Sequence, residues 1–269
     1  MSNIIIDLQG NLGNVLFQLS HALTYSKRSE KKLYIRCIDS KSKQVLLNSL
    51  ILKNLNIPKW TKPINSSDIY ITENLFNKFI EPRTDYPNEN IFIEGYFESE
   101  KYFDSDLIKN TFNFNSIITP ELIDKYRIDN DSIALSVRRG DILNLKDIFF
   151  VPSKEYYNSV ISELVKNNEN LIISSDDLEW CKNNIDYQNC SFLQESPEIN
   201  LALLSLCKNH INSSSTFSWW SSWINEKNDS INIFPYKRFV NTEKQQNDSK
   251  IYIPERWIRY KDKKEYYEN

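Results

Sequence analysis

The first 35 residues constrain the fold most. Asn3 to Asp7 is a short apolar run that reads as a strand, and Gly10 and Gly13 interrupt it. Leu16, Leu19 and Leu23 then recur at helical spacing, before Leu33-Tyr34-Ile35 begins a second strand. Strand, glycine turn, helix and strand make a βαβ unit, whose two strands lie in one parallel sheet. The chain therefore reads as α/β. The turn is informative for a second reason. The 269 residues include only 4 glycines, where average usage of about 7% would give roughly 19. A chain so poor in glycine keeps it where the backbone needs it.

The same alternation continues downstream. Residues 44–55 have a helical pattern, residues 69–71 and 91–94 read as short strands, and residues 99–110 form an amphipathic stretch. The second half is cleaner, with strands at 133–137, 171–174, 191–193, one ending at Ile211, and 231–234 as the last. Helices alternate with them at 154–165, 178–184, 199–207 and 217–224, and Pro197 sits in the first turn of the third of these. Two α/β halves fit best, residues 1–128 and 129–269, meeting near residues 125–131. The charged tail at 261–269 reads as frayed.

Composition removes several function classes. There are 33 basic against 36 acidic side chains, a net charge of -3, and the pI is about 5.6, so no basic face for nucleic acid is expected. Mean hydropathy is -0.54 and no apolar run approaches the ~18–20 residues of a membrane span. The start, MSNIIIDLQG, lacks a basic n-region and a long apolar h-region, so no signal peptide is expected. The expected location is the cytoplasm, with peripheral docking at a membrane left open. Cys37, Cys181, Cys190 and Cys207 form no C-x-x-C pair, and His21 and His210 are the only histidines. Free thiols and no metal site follow from that inventory.

Four segments carry chemistry. Gln9-Gly10-Asn11-Leu12-Gly13-Asn14 joins a strand to a helix, where glycines permit a sharp turn and helix N–H groups face outward. It is neither a dinucleotide fingerprint nor a P-loop, and alone it suits a packing turn equally well. Ser136-Val137-Arg138-Arg139-Gly140-Asp141 puts two arginines at the carboxyl end of a strand, where open α/β sheets bind ligands. Arginine matches phosphate oxygens bidentately. On a pleated strand only one of the pair can face a cleft; the other then makes an internal ion pair, with Asp141 its nearest partner in sequence. Ser174-Ser175-Asp176-Asp177 ends another strand. Its carboxylates suit ribose hydroxyls or base N–H groups, and Asp177 equally suits a helix N-cap.

The fourth segment runs from Ser213 to Trp223. Trp219, Trp220 and Trp223 share one helical stripe and read as core, while the hydroxyls of Ser215, Thr216 and Ser218 gather at the helix N-terminus and suit a diphosphate. Two D-x-D tripeptides, Asp104-Ser105-Asp106 and Asp129-Asn130-Asp131, follow no apolar strand, which argues against the metal-binding use of that motif.

Together these segments resemble glycosyltransferase family 11, the α1,2-fucosyltransferases. Gly10 to Gln18 is similar to the family's G-G-L-G-N-Q-M-F-Q opening, and Gly95 to Phe103 to its G-Y-F-Q-S-E-K-Y-F segment. Ser136 to Ile142 resembles H-x-R-R-G-D-Y, with Ser136 in place of the histidine and Ile142 in place of the tyrosine. Ser175 to Trp180 matches S-D-D-x-E-W. Ser196 to Trp220 resembles S-P-E-x-D-L-x-L-M-S-x-C-K followed by N-S-T-F-S-W-W. Other departures are Val15, Glu98, Asn200, Ser214 and the inverted pair Asn209-His210.

The resemblance implies a GT-B fold, two Rossmann-like domains facing across a cleft, with the acceptor on the N-terminal side and GDP-fucose on the C-terminal side. It implies transfer of L-fucose from GDP-β-L-fucose to the 2-hydroxyl of a galactose-terminated glycan, free or lipid-linked, with inversion and without a divalent metal or other cofactor. Arg138 or Arg139 would meet the β-phosphate; Ser215, Thr216, Phe217 and Ser218 would support the diphosphate; Asp176 would meet ribose or guanine. Gly13 and Asn14 would lie near the transferred sugar, and Asp141, Glu94 and Glu98 are candidates for a general base. The competing classes are a metal-dependent glycosyltransferase and a non-catalytic sugar-nucleotide or glycan-binding protein. Oligomeric state is not legible.

Overall fold

The computed structural model describes residues 2–36, 55–63, 65, 67–73, 86, 88–241 and 252–261. The chain divides into two units, residues 1–113 with 250–252 and residues 114–249 with 253–269.

In the first unit, β1 (Asn3–Asp7) leads through the Gly10 turn into α1 (Leu12–Ser29), which returns the chain to β2 (Lys32–Arg36). β3 (Ile69–Thr72) and β4 (Ile91–Glu94) complete a parallel sheet in the order β2-β1-β4-β3. Ile4, Ile5 and Ile6 in the middle of β1 are fully buried, the mark of a parallel strand covered on both faces. The apolar stripe of α1 places Val15, Leu16, Leu19 and Ala22 in the core. The helix ends at Glu30 in the left-handed region (φ 55), with Lys27 and Arg28 in its last turn, where positive charge complements the helix dipole. The amphipathic stretch after β4 forms two pieces, a 3-10 turn at Glu100–Tyr102 and α2 (Ser105–Thr111). Asp104 separates them by capping α2, accepting the Leu107 N–H at 3.0 Å. The helix expected at 44–55 lies, but for residue 55, outside the described residues, as do Cys37 and residues 262–269 of the tail.

The second unit contains α3 (Pro120–Tyr126), β5 (Ile133–Val137), α4 (Lys154–Leu164), β6 (Leu171–Ser175) and α5 (Leu178–Asn184). β7 (Cys190–Phe192), α6 (Pro197–Leu204), β8 (Asn209–Ile211), α7 (Thr216–Trp223), β9 (Asn232–Pro235) and β10 (Ile258–Tyr260) follow. The sheet runs β10-β9-β8-β5-β6-β7, every pairing parallel. Counted from β5, this is the 3-2-1-4-5-6 order of a doubly wound Rossmann sheet.

Strand alternation sorts the core of this unit. Ile133, Leu135 and Val137 of β5 pack with Tyr156, Tyr157, Val160 and Cys181 from α4 and α5. Ala134 faces the other way, with Tyr126, Ile128, Leu203 and Leu204. Tyr126 and Ile128 thus belong to the second unit's core, which places the division after Asn113 rather than at the expected 128/129 boundary. Trp219, Trp220 and Trp223 are fully buried core residues, with the Trp219 and Trp223 rings stacked 5.6 Å apart. Residues 231–234 were expected to hold the last strand; β10 follows it, and α3 too went unpredicted. Both elements are short, with too few residues to establish a period.

Candidate functional site

β5 and β8 lie side by side, and the chain leaves them in opposite directions, to β6 on one side and β9 on the other. In an open α/β sheet the crevice at the carboxyl ends of two such strands is where ligands bind. The segments after β5, β6 and β8 are the three that sequence reasoning singled out in this half of the chain.

Alternation past the end of β5 sends the two arginines to different surroundings. Arg138 keeps 29% of its side chain exposed, and its guanidinium donates to Asp176 Oδ2 at 2.6 Å and to Asp141 Oδ1. Arg139 is 8% exposed, with its guanidinium 4.0 Å from the centre of the Trp180 ring and 3.6 Å from Asp177 Oδ2. Arg139 is therefore the internal arginine, as one of the pair had to be. Its carboxylate partner is Asp177; Asp141, the partner expected from sequence, pairs with Arg138 instead because both lie outside the sheet face that Arg139 enters.

Asp176 holds this loop together. Besides Arg138, it accepts the Arg139 backbone N–H at 2.7 Å on Oδ1. Both of its oxygens serve the arginine loop, while 25% of its side chain remains exposed. Gly140 is required by the same arrangement, because a Cβ at that position would lie 2.6 Å from Asp176 Oδ2. Asp177 caps α5, accepting the Trp180 N–H at 3.1 Å.

After β8, the hydroxyl-rich run folds into a buried network at the start of α7. Ser218 is fully buried; its hydroxyl donates to Ser136 Oγ at 2.8 Å and sits 2.9 Å from both Ser213 Oγ and Ser215 Oγ. A hydroxyl has one proton to give, so Ser213 and Ser215 donate to Ser218. Ser215 is also the N-cap, accepting the Ser218 N–H at 3.1 Å. Ser218 thus organises the cradle from beneath, which corrects its expected contact with a diphosphate. Ser215, Thr216 and Phe217 are half-buried and stand at the helix N-terminus. Ser136, which replaces the motif histidine, ties the end of β5 to α7 through this network.

In the first unit, the Gly10 turn is pinned by an amide clamp. Gln18 accepts the Gln9 N–H at 2.8 Å and donates to the Gln9 carbonyl at 2.8 Å. Gly10 adopts φ +75, and an added Cβ would crowd the Asn14 side chain, so a substitution there would be strained. Gly13 is buried in the first turn of α1 and Asn14 is half-buried beside Gly10. Glu73, which sequence reasoning missed, accepts the N–H groups of Tyr96, at 3.0 Å, and Phe97. Burial pushes its carboxyl above the usual range; the Phe97 N–H works against this and the charge of Glu98 adds to it. Phe97 sits at φ 52 and stacks on His21 with ring centres 3.9 Å apart. The only signal for Glu73 was a lone carboxylate just beyond an apolar strand.

The D-x-D carboxylates have structural roles. Asp104 caps α2 and pairs with Lys27 at 3.1 Å, while Asp129 accepts from the Asp131 N–H and the Ser132 hydroxyl in a turn. Among the described residues, no group of three or more His, Cys, Asp or Glu side chains is placed to hold a metal ion. Among them too, no helix is long and apolar enough to cross a membrane.

The sequence profile of glycosyl transferase family 11 matches residues 3–261. An alpha-1,2-colitosyltransferase of Escherichia coli is 27% identical over 304 aligned residues, covering 96% of this chain and 99% of its own. The O-antigen biosynthesis glycosyltransferase WbnK of Escherichia coli is 28% identical over 193 residues, 65% of this chain and 64% of its own. Among solved structures, fucosyltransferase NodZ from Bradyrhizobium matches with a TM-score of 0.53 at 11% identity, over 82% of this chain and 93% of that one. A mutant of Arabidopsis thaliana FUT1 matches with a TM-score of 0.54 at 11% identity, over 90% and 72%. The two parallel-sheet units are of GT-B type, as in these fucosyltransferases. With its motifs in order and the profile matched almost end to end, this chain belongs to glycosyl transferase family 11.

Proposed function

We propose that this glycosyltransferase moves L-fucose from GDP-β-L-fucose to the 2-hydroxyl of a galactoside, inverting the anomeric centre in one displacement without a divalent metal. The observation that carries the reading is Arg138: a partly exposed guanidinium at the switch point of a Rossmann sheet, fixed by Asp176 and Asp141. A sugar-nucleotide donor is the ligand that suits a fixed cation beside a helix N-terminus. The α1,2 linkage is supported by the name of the colitosyl-transferring relative, and the GDP donor by the FUT1 structure in complex with GDP.

In this mechanism the acceptor 2-hydroxyl attacks the fucose anomeric carbon from the face opposite GDP. The new glycosidic bond forms as the bond to the β-phosphate breaks, and negative charge grows on the departing diphosphate. Arg138 meets that charge, and the N–H groups at the start of α7, with the Thr216 hydroxyl, meet the rest. Arg139 holds the loop from inside. The acceptor proton passes to a carboxylate, for which Glu94, Glu98 and Asp141 are the candidates. GDP release from GDP-fucose across a panel of β-galactosides, with and without EDTA, tests the proposal. Galactoside-dependent release that survives EDTA supports it. Loss of activity with EDTA favours the metal-dependent class, and GDP binding with no release under any acceptor favours the non-catalytic one. Running a colitosyl donor alongside identifies which sugar is preferred.

A further inference from the structure

Two adjacent tyrosines of α4, Tyr156 and Tyr157, reach the two strands that part at the switch point. Their rings meet edge to face with centres 5.0 Å apart, and both side chains are buried beside β5 in the core of the second unit. Their hydroxyls end differently. Tyr156 donates to the Asn212 carbonyl at 2.9 Å, just past the end of β8 and at the foot of the serine run. Tyr157 is fully buried, and its hydroxyl completes no hydrogen bond among the described residues.

That hydroxyl lies under the arginine loop. The Arg138 backbone N–H is directed at it, and the charges of Arg139 and Asp176 act on it. The Tyr157 ring meets Trp180 edge on, with centres 6.1 Å apart, and the Trp180 ring carries the Arg139 guanidinium at 4.0 Å. Asp176 takes the Arg139 N–H at 2.7 Å, so Tyr157 stands beneath the N–H one residue earlier. Burial holds the phenol well above its ordinary range, so it stays protonated and uncharged. A buried hydroxyl without a full bond costs stability, and such costs gather at functional sites.

We propose that Tyr157 is a positioning residue for the diphosphate site: its oxygen takes the Arg138 backbone N–H when the Arg138 guanidinium bears on a nucleoside diphosphate. The bond closes with the ligand in place, as the hydrogen bonds of reacting sites tighten in the complex. Arg138 is then held at both ends, its guanidinium by Asp176 and Asp141 and its backbone by Tyr157. The inference rests on Arg138 meeting the diphosphate, and is independent of the sugar moved and of the acceptor.

GDP alone is therefore the probe. Calorimetry on the full chain measures its affinity for wild type, Tyr157→Phe, Arg138→Ala and the double variant, with thermal melts alongside. Phenylalanine keeps the ring against Trp180 and removes only the hydroxyl. GDP affinity should fall about three- to tenfold in Tyr157→Phe, the worth of one neutral hydrogen bond, with the melting temperature level or raised. Tyr156→Phe loses a completed bond instead and should lower the melting temperature. The double variant should bind GDP no more weakly than Arg138→Ala alone, because Tyr157 acts through Arg138. Unchanged affinity in Tyr157→Phe with weakened binding in Arg138→Ala overturns the role of Tyr157 and leaves that of Arg138 standing. Additive losses in the double variant also overturn it, since Tyr157 then acts by another route. Full affinity in both single variants overturns the Arg138 reading and this inference with it. The expected coupling without transfer to any β-galactoside supports the inference and removes the transfer reading.

Discussion

Arg138 and Asp176 are joined by a 2.6 Å ion pair between the segments that leave β5 and β6, and the same carboxylate takes the Arg139 N–H at 2.7 Å. One side chain thus fixes both the Arg138 guanidinium and the backbone that follows it. In the proposed mechanism Asp176 acts through Arg138, which makes it a positioning residue. Replacing Asp176 with Asn keeps its size and an acceptor for the Arg139 N–H while removing the charge that holds the guanidinium. Small displacements of a positioned group cost up to about 100-fold in rate, so kcat with GDP-fucose should fall about 10- to 100-fold. Steady-state kinetics alongside a thermal melt check this; a lowered kcat with an unchanged melting temperature is the expected pair.

Gly140 tests the same loop from its backbone. A Cβ there meets the Asp176 carboxylate at 2.6 Å, and that carboxylate has two hydrogen bonds to lose. Gly140→Ala should reduce turnover about as much as Asp176→Asn does. An alanine at the exposed Lys166 should leave turnover unchanged. Equal activity for the two alanine variants would show that the loop tolerates movement.

Glu73 offers a perturbation confined to the first unit. Its carboxylate holds two consecutive N–H groups of the Gly95–Ser99 turn, and Glu73→Ala leaves both without that acceptor. The turn should loosen, raising the acceptor KM roughly tenfold while GDP affinity, measured by calorimetry, stays unchanged. A matching loss of GDP affinity would mean that the substitution disrupts the whole chain.

Acid should destabilise the protein through its two histidines. His21 and His210 are buried, and burial lowers each imidazole from 6.5 to about 4. The unfolded chain therefore binds these protons near pH 6.5 and the folded chain only near pH 4, so stability falls as pH drops through that window. Each histidine contributes a loss of up to about 3 kcal/mol across it. Urea unfolding at pH 7.5 and pH 5 should show a lower midpoint in acid. His210→Gln should flatten that pH dependence whatever its effect on absolute stability.

Much of this was legible in the sequence, for identifiable reasons. Strands such as Ile133–Val137 and Ile91–Glu94 are near-continuous apolar runs ended by charge or glycine, and buried parallel strands look like that. The division of labour between Arg138 and Arg139 follows from the period of a pleated strand, although sequence alone does not say which arginine faces inward. Trp180, against which Arg139 packs, answers that, and it comes from a different element. Ser218 misled because a hydroxyl near a helix N-terminus reads as ligand-facing, whereas three other serines fold over it. The loop-fixing role of Asp176 was not legible because its partners, Arg138 and the Arg139 N–H, lie 38 and 37 positions away in sequence. Glu73 stayed hidden because the groups it holds are backbone N–H groups, which leave no trace in side-chain pattern.

The central claim is that Arg138 meets the departing diphosphate while Arg139 holds the loop. Single-turnover release of GDP from GDP-fucose with a β-galactoside acceptor, compared between Arg138→Ala and wild type, tests it most directly. Removing a preorganised charge that acts on the transition state costs on the order of 100- to 1,000-fold, and that is the predicted loss, with the fold intact by thermal melt. Arg138→Ala turning over within threefold of wild type would contradict the account.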